Sequence, residues 1–189
     1  MKQLLLAILG AWLILCGCVS SREKKSARYY DEHEQEIREI RALYNRLYQH
    51  QPFNIGFSKR DFSYVGMDII TDTMRWALNN QFGLDDFKAA VEGFRYDTTA
   101  LISLYQKLRK IECIWLGTDD MYFQGEAYPV VFLSFRSVRF GNPFLDRKYY
   151  TLLLLDPDRA TPALDSVVLA AGFHPVRQKV YFKIMDRFR

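Results

Sequence analysis

Hydrophobic and polar positions follow a helical period in the first third of the chain. Asp31 followed by Glu34 is typical of a helix start, and apolar residues then recur at helical spacing over residues 37–47 with charged residues between them. The pattern predicts an amphipathic helix from Asp31 that ends near His50. One apolar stripe of this kind fits docking onto a sheet or onto a partner.

The next segments alternate between strand-like and helix-like patterns. Thr71-Asp72-Thr73 has the composition of a turn, so we predict a hairpin around it, although the segment after it could instead begin a helix. Asp97 is placed to cap a helix whose apolar residues share one face. The predicted elements are strands at Phe53–Phe57, Phe62–Ile70 and Met74–Leu78, a short helix from Leu84 to about Phe94, and a helix from Asp97 with Leu101, Leu104, Leu108 and Ile111 on its buried face.

From residue 112 onward the pattern predicts mainly strands. Thr151–Leu155 is apolar at every position but one and is therefore expected in the centre of the sheet. A short helix at Ala163–Ala171 is predicted to end at Gly172. Short connections favour antiparallel neighbours. The predicted strands are Glu112–Leu116, Met121–Gln124, Tyr128–Phe140, Lys148–Leu155 and Gln178–Met185, with turns at Gly117-Thr118-Asp119-Asp120, Gln124-Gly125 and Gly141-Asn142-Pro143.

These elements predict an α+β fold, in which a mainly antiparallel β-sheet packs with an N-terminal amphipathic helix and two or three shorter helices. The chain has 189 residues, and no composition shift suggests an interior linker, so residues 31–189 are expected to form one domain. The net charge of +4 is small and evenly spread, which argues against nucleic acid as a partner.

Residues 1–17 have the layout of an export signal: Lys2, an apolar run from Leu4 to Leu15, and then small residues. The run is shorter than the roughly 20 residues that a transmembrane helix needs. Leu15-Cys16-Gly17-Cys18 resembles the lipobox of bacterial lipoproteins, which predicts cleavage before Cys18.

The lipobox resemblance implies that Cys18 carries a diacylglycerol and a further acyl chain such as palmitate, which together anchor the protein stably to membrane lipid. Val19 follows the cysteine, and in enteric-type sorting this implies the outer rather than the inner membrane. Residues 18–30 are polar and lack periodicity, so they are expected to form a short tether. Their basic residues either contact anionic headgroups or form a solvated spacer.

Cys113 is the one cysteine left once Cys16 departs with the signal and Cys18 is acylated. The mature domain is therefore expected to lack an internal disulfide. Cys113 lies in an apolar, strand-like run, which favours a buried structural thiol over a reactive one.

The residues that could carry chemistry are scattered acids and one histidine. Asp119-Asp120 and Asp156-Pro157-Asp158 lie in predicted turns, where aspartate ordinarily bonds its own backbone, and they lack the ligand spacing of a calcium loop. A dyad of His174 with Asp156 or Asp158 requires a proximity that the sequence does not show. His33-Glu34-Gln35-Glu36 lacks the second histidine of a metal-binding helix. We therefore expect no metal, no cofactor and no catalytic residues.

Arg136 and Arg139 fall on opposite faces of one predicted strand because their spacing is odd. One of them is expected to point inward, where it needs a carboxylate or a ligand, and a structural ion pair is the expected partner.

The aromatic patterns in Phe53-Asn54-Ile55-Gly56-Phe57 and Phe62-Ser63-Tyr64-Val65, together with the lipobox and the N-terminal helix, resemble small uncharacterised lipoproteins of Bacteroides-type bacteria. This resemblance implies no activity. Three functions remain open: a non-catalytic lipoprotein that binds another envelope component, a carrier of a small ligand in a cavity between sheet and helices, and an envelope hydrolase. A cleft that gathers His174 with two carboxylates favours the hydrolase, whereas an exposed apolar patch favours the binding protein.

Overall fold

A computed structural model describes residues 2–59, 61–94, 96–136 and 149–185, which contain four helices and eight strands. The side chains of residues 1–23, 25, 79–82 and 136 lie outside this description. The elements are α1 (Lys2–His50), β1 (Phe53–Phe57), β2 (Val65–Ile70), β3 (Arg75–Phe82), α2 (Leu84–Val91), α3 (Thr98–Lys110), β4 (Cys113–Phe123), β5 (Glu126–Arg136), β6 (Tyr149–Leu154), α4 (Pro162–Ala170), β7 (His174–Arg177) and β8 (Val180–Met185).

All eight strands form one antiparallel sheet in the order β3-β2-β1-β4-β5-β6-β8-β7. Neighbours along the chain are mostly neighbours in the sheet, as short connections require. The architecture is α+β, with an N-terminal helix and three shorter helices among the described residues, which confirms the predicted fold class.

The sheet buries apolar side chains on both faces. The larger cluster lies beneath α1, α2 and α3, and the smaller one lies beneath α4. Strand β6 shows the division, since Leu152 and Leu154 enter the larger cluster and Leu153 enters the smaller one. The predicted central position of this segment is confirmed, because only an interior strand with covered faces buries successive apolar residues.

Helix α1 begins far earlier than the pattern predicts. It runs from Lys2 to His50 and has a kink at His33, where φ is −123° and ψ is 15°. Helical structure thus precedes Asp31, contrary to the prediction, but the Asp31 and Glu34 signal flanks the kink at which the second helical segment of α1 begins. The part of α1 after the kink is amphipathic as predicted, with Ile40 and Tyr44 fully buried on its apolar face.

The two predicted helices after β3 are present. In α3 the Asp97 carboxylate accepts a hydrogen bond from the Ala100 amide at 3.0 Å, which confirms the cap. Leu101, Leu104 and Leu108 are buried on its inner face. The segment after Thr73 forms strand β3, so the hairpin interpretation is the correct one.

Strand β4 is continuous over eleven residues, so the predicted turn at Gly117-Thr118-Asp119-Asp120 is wrong. A Cβ on Gly117 would lie 2.4 Å from the Asn54 Oδ1 atom and 2.5 Å from the Trp115 ring. The glycine therefore serves close packing inside a strand rather than a turn. The turn at Gln124-Gly125 is confirmed, with φ of 52° and 84° as a two-residue hairpin of the mirror-image kind requires.

The C-terminal region contains one strand that the pattern missed. His174 lies in β7 rather than in a loop, and β7 pairs with β8 at the edge of the sheet. Helix α4 is close to its predicted bounds, and Gly172 follows it with φ of 81°. The predicted turn at Gly141-Asn142-Pro143, Arg139 and the side chain of Arg136 lie outside the described residues.

Candidate binding edge

Cys18, the predicted acylation site, lies within helix α1, and its side chain is outside the described residues. The helix continues from this cysteine without interruption into the packed domain. Ser26 and Tyr30 are both 6% exposed, so the last residues of the predicted tether belong to the core. Among the residues whose side chains the structure describes, no helix is long and apolar enough to cross a membrane.

Tyr29 fixes this part of α1 against one end of the sheet. Its hydroxyl donates to the Ile111 carbonyl just beyond α3, and its ring lies 4.7 Å from the Phe135 ring near the end of β5. Burial raises the pKa of the Tyr29 hydroxyl well above its usual range, so the hydroxyl remains a donor at any physiological pH. We call this end of the sheet, marked by Tyr29, Ile111 and Phe135, the anchor end.

The opposite end of the sheet is marked by the end of α1 and the tip of the β2–β3 hairpin. The Ile70 amide donates to the Pro52 carbonyl at 2.9 Å, and the Tyr96 hydroxyl donates to the Gln51 carbonyl at 3.2 Å. Between the kink and His50, α1 spans seventeen residues, a rise on the order of 25 Å. We call this end, marked by His50, Pro52 and Ile70, the distal end.

The acidic pairs predicted in turns bond to nearby backbone amides. Asp156 accepts from the Asp158 amide at 3.1 Å, and Asp119 accepts from the Asp120 amide at 3.0 Å within β4. His174 packs its ring against Phe182, with centroids 5.3 Å apart. Among the described residues no group of three or more His, Cys, Asp or Glu side chains is arranged to hold a metal ion, and this includes His174 with Asp156 and Asp158.

Cys113 is fully buried, and its thiol donates to the Trp115 carbonyl at 3.2 Å. Burial raises the pKa of the thiol to about 12, which keeps it protonated at neutral pH. A protonated, inaccessible thiol is a poor nucleophile. The prediction of a buried structural cysteine is confirmed.

Large apolar side chains that remain exposed are concentrated on the β2–β3 hairpin. Among the described residues there are five, and three of them belong to this hairpin: Ile70 at 37%, Met74 at 54% and Trp76 at 47%. The Trp76 ring meets Phe94 edge to face at 6.1 Å, which holds the indole in place while leaving nearly half of it exposed. The other two, Tyr122 and Leu169, lie apart on the β4–β5 hairpin and on α4.

The backbone of β3 also faces outward, because β3 is the terminal strand of the sheet. Ile70 directs its amide to Pro52, on the β1 side of β2, so the Ile70–Arg75 pair is not joined by hydrogen bonds. Since pairs alternate along an antiparallel ladder, the main-chain groups of Trp76 point to β2 and those of Ala77 point away from it. Arg75 and Ala77 therefore present an N–H and a C=O each at the outer side of β3.

The two edges of the sheet differ in how they are protected. The β7 edge is only four residues long, includes Pro175 and Arg177, and is tied to α1 by an ion pair between Arg177 and Asp31. The β3 strand is eight residues long, and from Trp76 to Phe82 it contains no charged residue and no proline. Short strands, prolines and charges are the usual protection of edges against pairing, and β3 has none of them over these residues.

We define the β3 edge as the outer side of Arg75–Phe82 together with the exposed side chains of Ile70, Met74 and Trp76. It combines main-chain groups that point away from the sheet with an aromatic side chain, and its tip lies at the distal end. These are features of a surface that binds another polypeptide. No protein-family model, no curated protein and no solved structure matches the chain.

Proposed function

We propose that this protein is an envelope lipoprotein, acylated on Cys18, with a non-catalytic role in which it binds another envelope component through the β3 edge. The observation that carries the binding role is the concentration of exposed apolar side chains on one hairpin whose strand is also an unprotected edge. An edge strand without charges or prolines is a ready template for pairing with another chain, and the exposed apolar side chains add surface that a partner can cover.

The arrangement of α1 supports the anchored role. Tyr29 follows Cys18 by eleven residues, so a continuous helix places the anchor within about 16 Å of the anchor end. The tip of the β3 edge lies at the distal end of the same domain. A lipoprotein built in this way holds its domain close to the membrane and presents the hairpin tip away from it.

Acylation is tested by metabolic labelling with an alkyne-bearing palmitate. We expect the wild-type chain to take up the label, Cys18→Ala to lose it and leave the membrane fraction or remain unprocessed, and Cys16→Ala to keep it. The second variant is the matched control, because it changes a cysteine two residues away in the same run. Labelling that survives Cys18→Ala would exclude the proposed anchor.

Binding is tested separately by crosslinking the anchored protein in living cells. We expect reproducible crosslinks to one envelope protein that decrease with Trp76→Ala and persist with Leu169→Ala. The two side chains are equally exposed at 47%, so the comparison separates the β3 edge from exposed apolar surface in general. Equal losses in the two variants, or none in either, would contradict a binding role for this edge.

A further inference from the structure

We infer that the β3 edge takes up an extended, largely uncharged segment of a partner polypeptide as a ninth strand of the sheet. The inference rests on the proposed function, because it concerns the same surface and the same anchored protein. It adds the mode of binding and the chemistry of the partner segment.

The main chain of β3 specifies a strand as the occupant. Arg75 and Ala77 direct an amide and a carbonyl each away from β2, and these groups are two residues apart along the strand. An extended segment carries carbonyls and amides at the matching spacing, so it can satisfy both residues in one ladder.

The side chains specify what the partner segment contains. Trp76 and Leu78 lie on the face that α1, α2 and α3 cover, opposite Ile69 and Met67 of β2. An added strand therefore places alternate residues beside Trp76, where apolar or aromatic side chains pack best. On the other face Arg75 is already paired with Asp68 at 2.8 Å, so it makes no demand for an acidic partner.

The geometry of the anchor argues against a second copy of this chain as the occupant. Antiparallel pairing of β3 with β3 of another copy forms a two-fold axis perpendicular to the sheet, so the two strands run in opposite directions. Since β3 runs from the distal end towards the anchor end, the two anchor ends would lie at opposite sides of the dimer. Two copies on one membrane cannot insert their acyl chains in that arrangement.

The first experiment places a photoreactive amino acid at Ala77, which is exposed on β3, and at Leu169 on α4 as the control. The full-length lipoprotein is crosslinked in cells, and the attached peptide is sequenced by mass spectrometry. We expect position 77 to capture one extended, uncharged segment of another protein, and position 169 not to capture it. Crosslinks to a second copy of this chain, to lipid only, or to nothing would overturn the inference.

The second experiment synthesises the captured segment with a fluorescent label and measures its binding to the purified lipoprotein by anisotropy. Ala77→Pro removes the outward amide without touching the ladder to β2, and edge strands tolerate proline at such positions. Ala77→Thr keeps the amide and suits a strand. We expect Ala77→Pro to weaken binding at least tenfold and Ala77→Thr to change it less than twofold.

Equal affinities for the Ala77→Pro and Ala77→Thr variants would refute strand addition, provided that both variants unfold at the wild-type temperature. If Ala77→Pro unfolds earlier, Arg75→Pro and Arg75→Thr form a second pair at the other outward residue, judged by the same criterion. Failure here leaves the palmitate labelling of Cys18 and the Trp76→Ala crosslinks unaffected, so it is distinguishable from failure of the proposed function.

Discussion

Two substitutions within one helical turn of α1 are expected to change stability in opposite directions. Ser26 is buried, and among the described residues its Oγ atom has no hydrogen-bond partner. A buried polar group without a partner costs about 1–3 kcal/mol, and alanine is also the better helix former by roughly 0.5 kcal/mol. Ser26→Ala therefore removes a cost and should stabilise the fold by about 1–2 kcal/mol.

Tyr29→Phe is expected to destabilise the fold. It deletes the hydroxyl that donates to the Ile111 carbonyl, and Ile111 is 1% exposed. Losing a bond and leaving its acceptor buried costs about 1–2 kcal/mol. In a domain of this size the two changes should move Tm by roughly 3–6 °C, upward for Ser26→Ala and downward for Tyr29→Phe.

The assay is urea and thermal unfolding of the full-length protein in detergent, followed by near-ultraviolet circular dichroism. Ser166→Ala is the control for helix propensity, because Ser166 lies exposed in α4 and should change stability by no more than about 0.5 kcal/mol. If residues 26–30 were a mobile spacer, neither Ser26→Ala nor Tyr29→Phe would alter unfolding. That result would refute the docked helix and the position of the anchor end.

Three further predictions concern the interior. Gly117→Ala should destabilise the fold by at least about 2 kcal/mol in urea unfolding, because its Cβ meets Trp115, whereas Gly93→Ala, which meets nothing within 4 Å, should be neutral or stabilising. The pKa of Asp165 is lowered, although burial alone would raise it, because the Tyr181 hydroxyl and the Lys179 ammonium donate hydrogen bonds to its carboxylate. The stability that ionised Asp165 contributes to the fold is therefore fully present above the ordinary carboxyl pKa. It is lost as the pH falls through the lowered pKa of the folded state, so Asp165→Asn should flatten the acid limb of a curve of stability against pH. Cys113 should resist a thiol reagent at pH 8 in the native state and react fully in urea, and rapid native labelling would contradict its burial.

The fold class could be predicted from the sequence because local periodicity and burial agree over most of the chain. Phe53–Phe57 and the α3 cap at Asp97 match prediction closely, since alternation and capping depend on nearest neighbours. The error at Gly117 has a different source. A glycine beside polar residues is typical of a turn, yet here glycine is required by contacts with the Trp115 ring and with Asn54, which is distant in sequence.

The start of α1 could not be predicted for a similar reason. Residues 18–30 have no hydrophobic period, so their composition is typical of a tether. What orders their last part is tertiary contact, above all the packing of Tyr29 against Phe135 and Ile111. Helical order that depends on such contacts leaves little signal in local sequence.

The β3 edge depends on strand order, which the hydrophobic pattern does not specify. The sequence predicts a hairpin around Thr71-Asp72-Thr73, but an uncharged strand is equally suited to the centre of a sheet. β1 pairs with β4 on its other side, and this pairing leaves β3 at the edge. The absence of charged residues from Trp76 to Phe82 must then be interpreted differently. In a central strand it would reflect burial, whereas in an edge strand it leaves the strand open to pairing with another chain. A candidate binding surface thus follows from topology and sequence together, and neither alone would have indicated it.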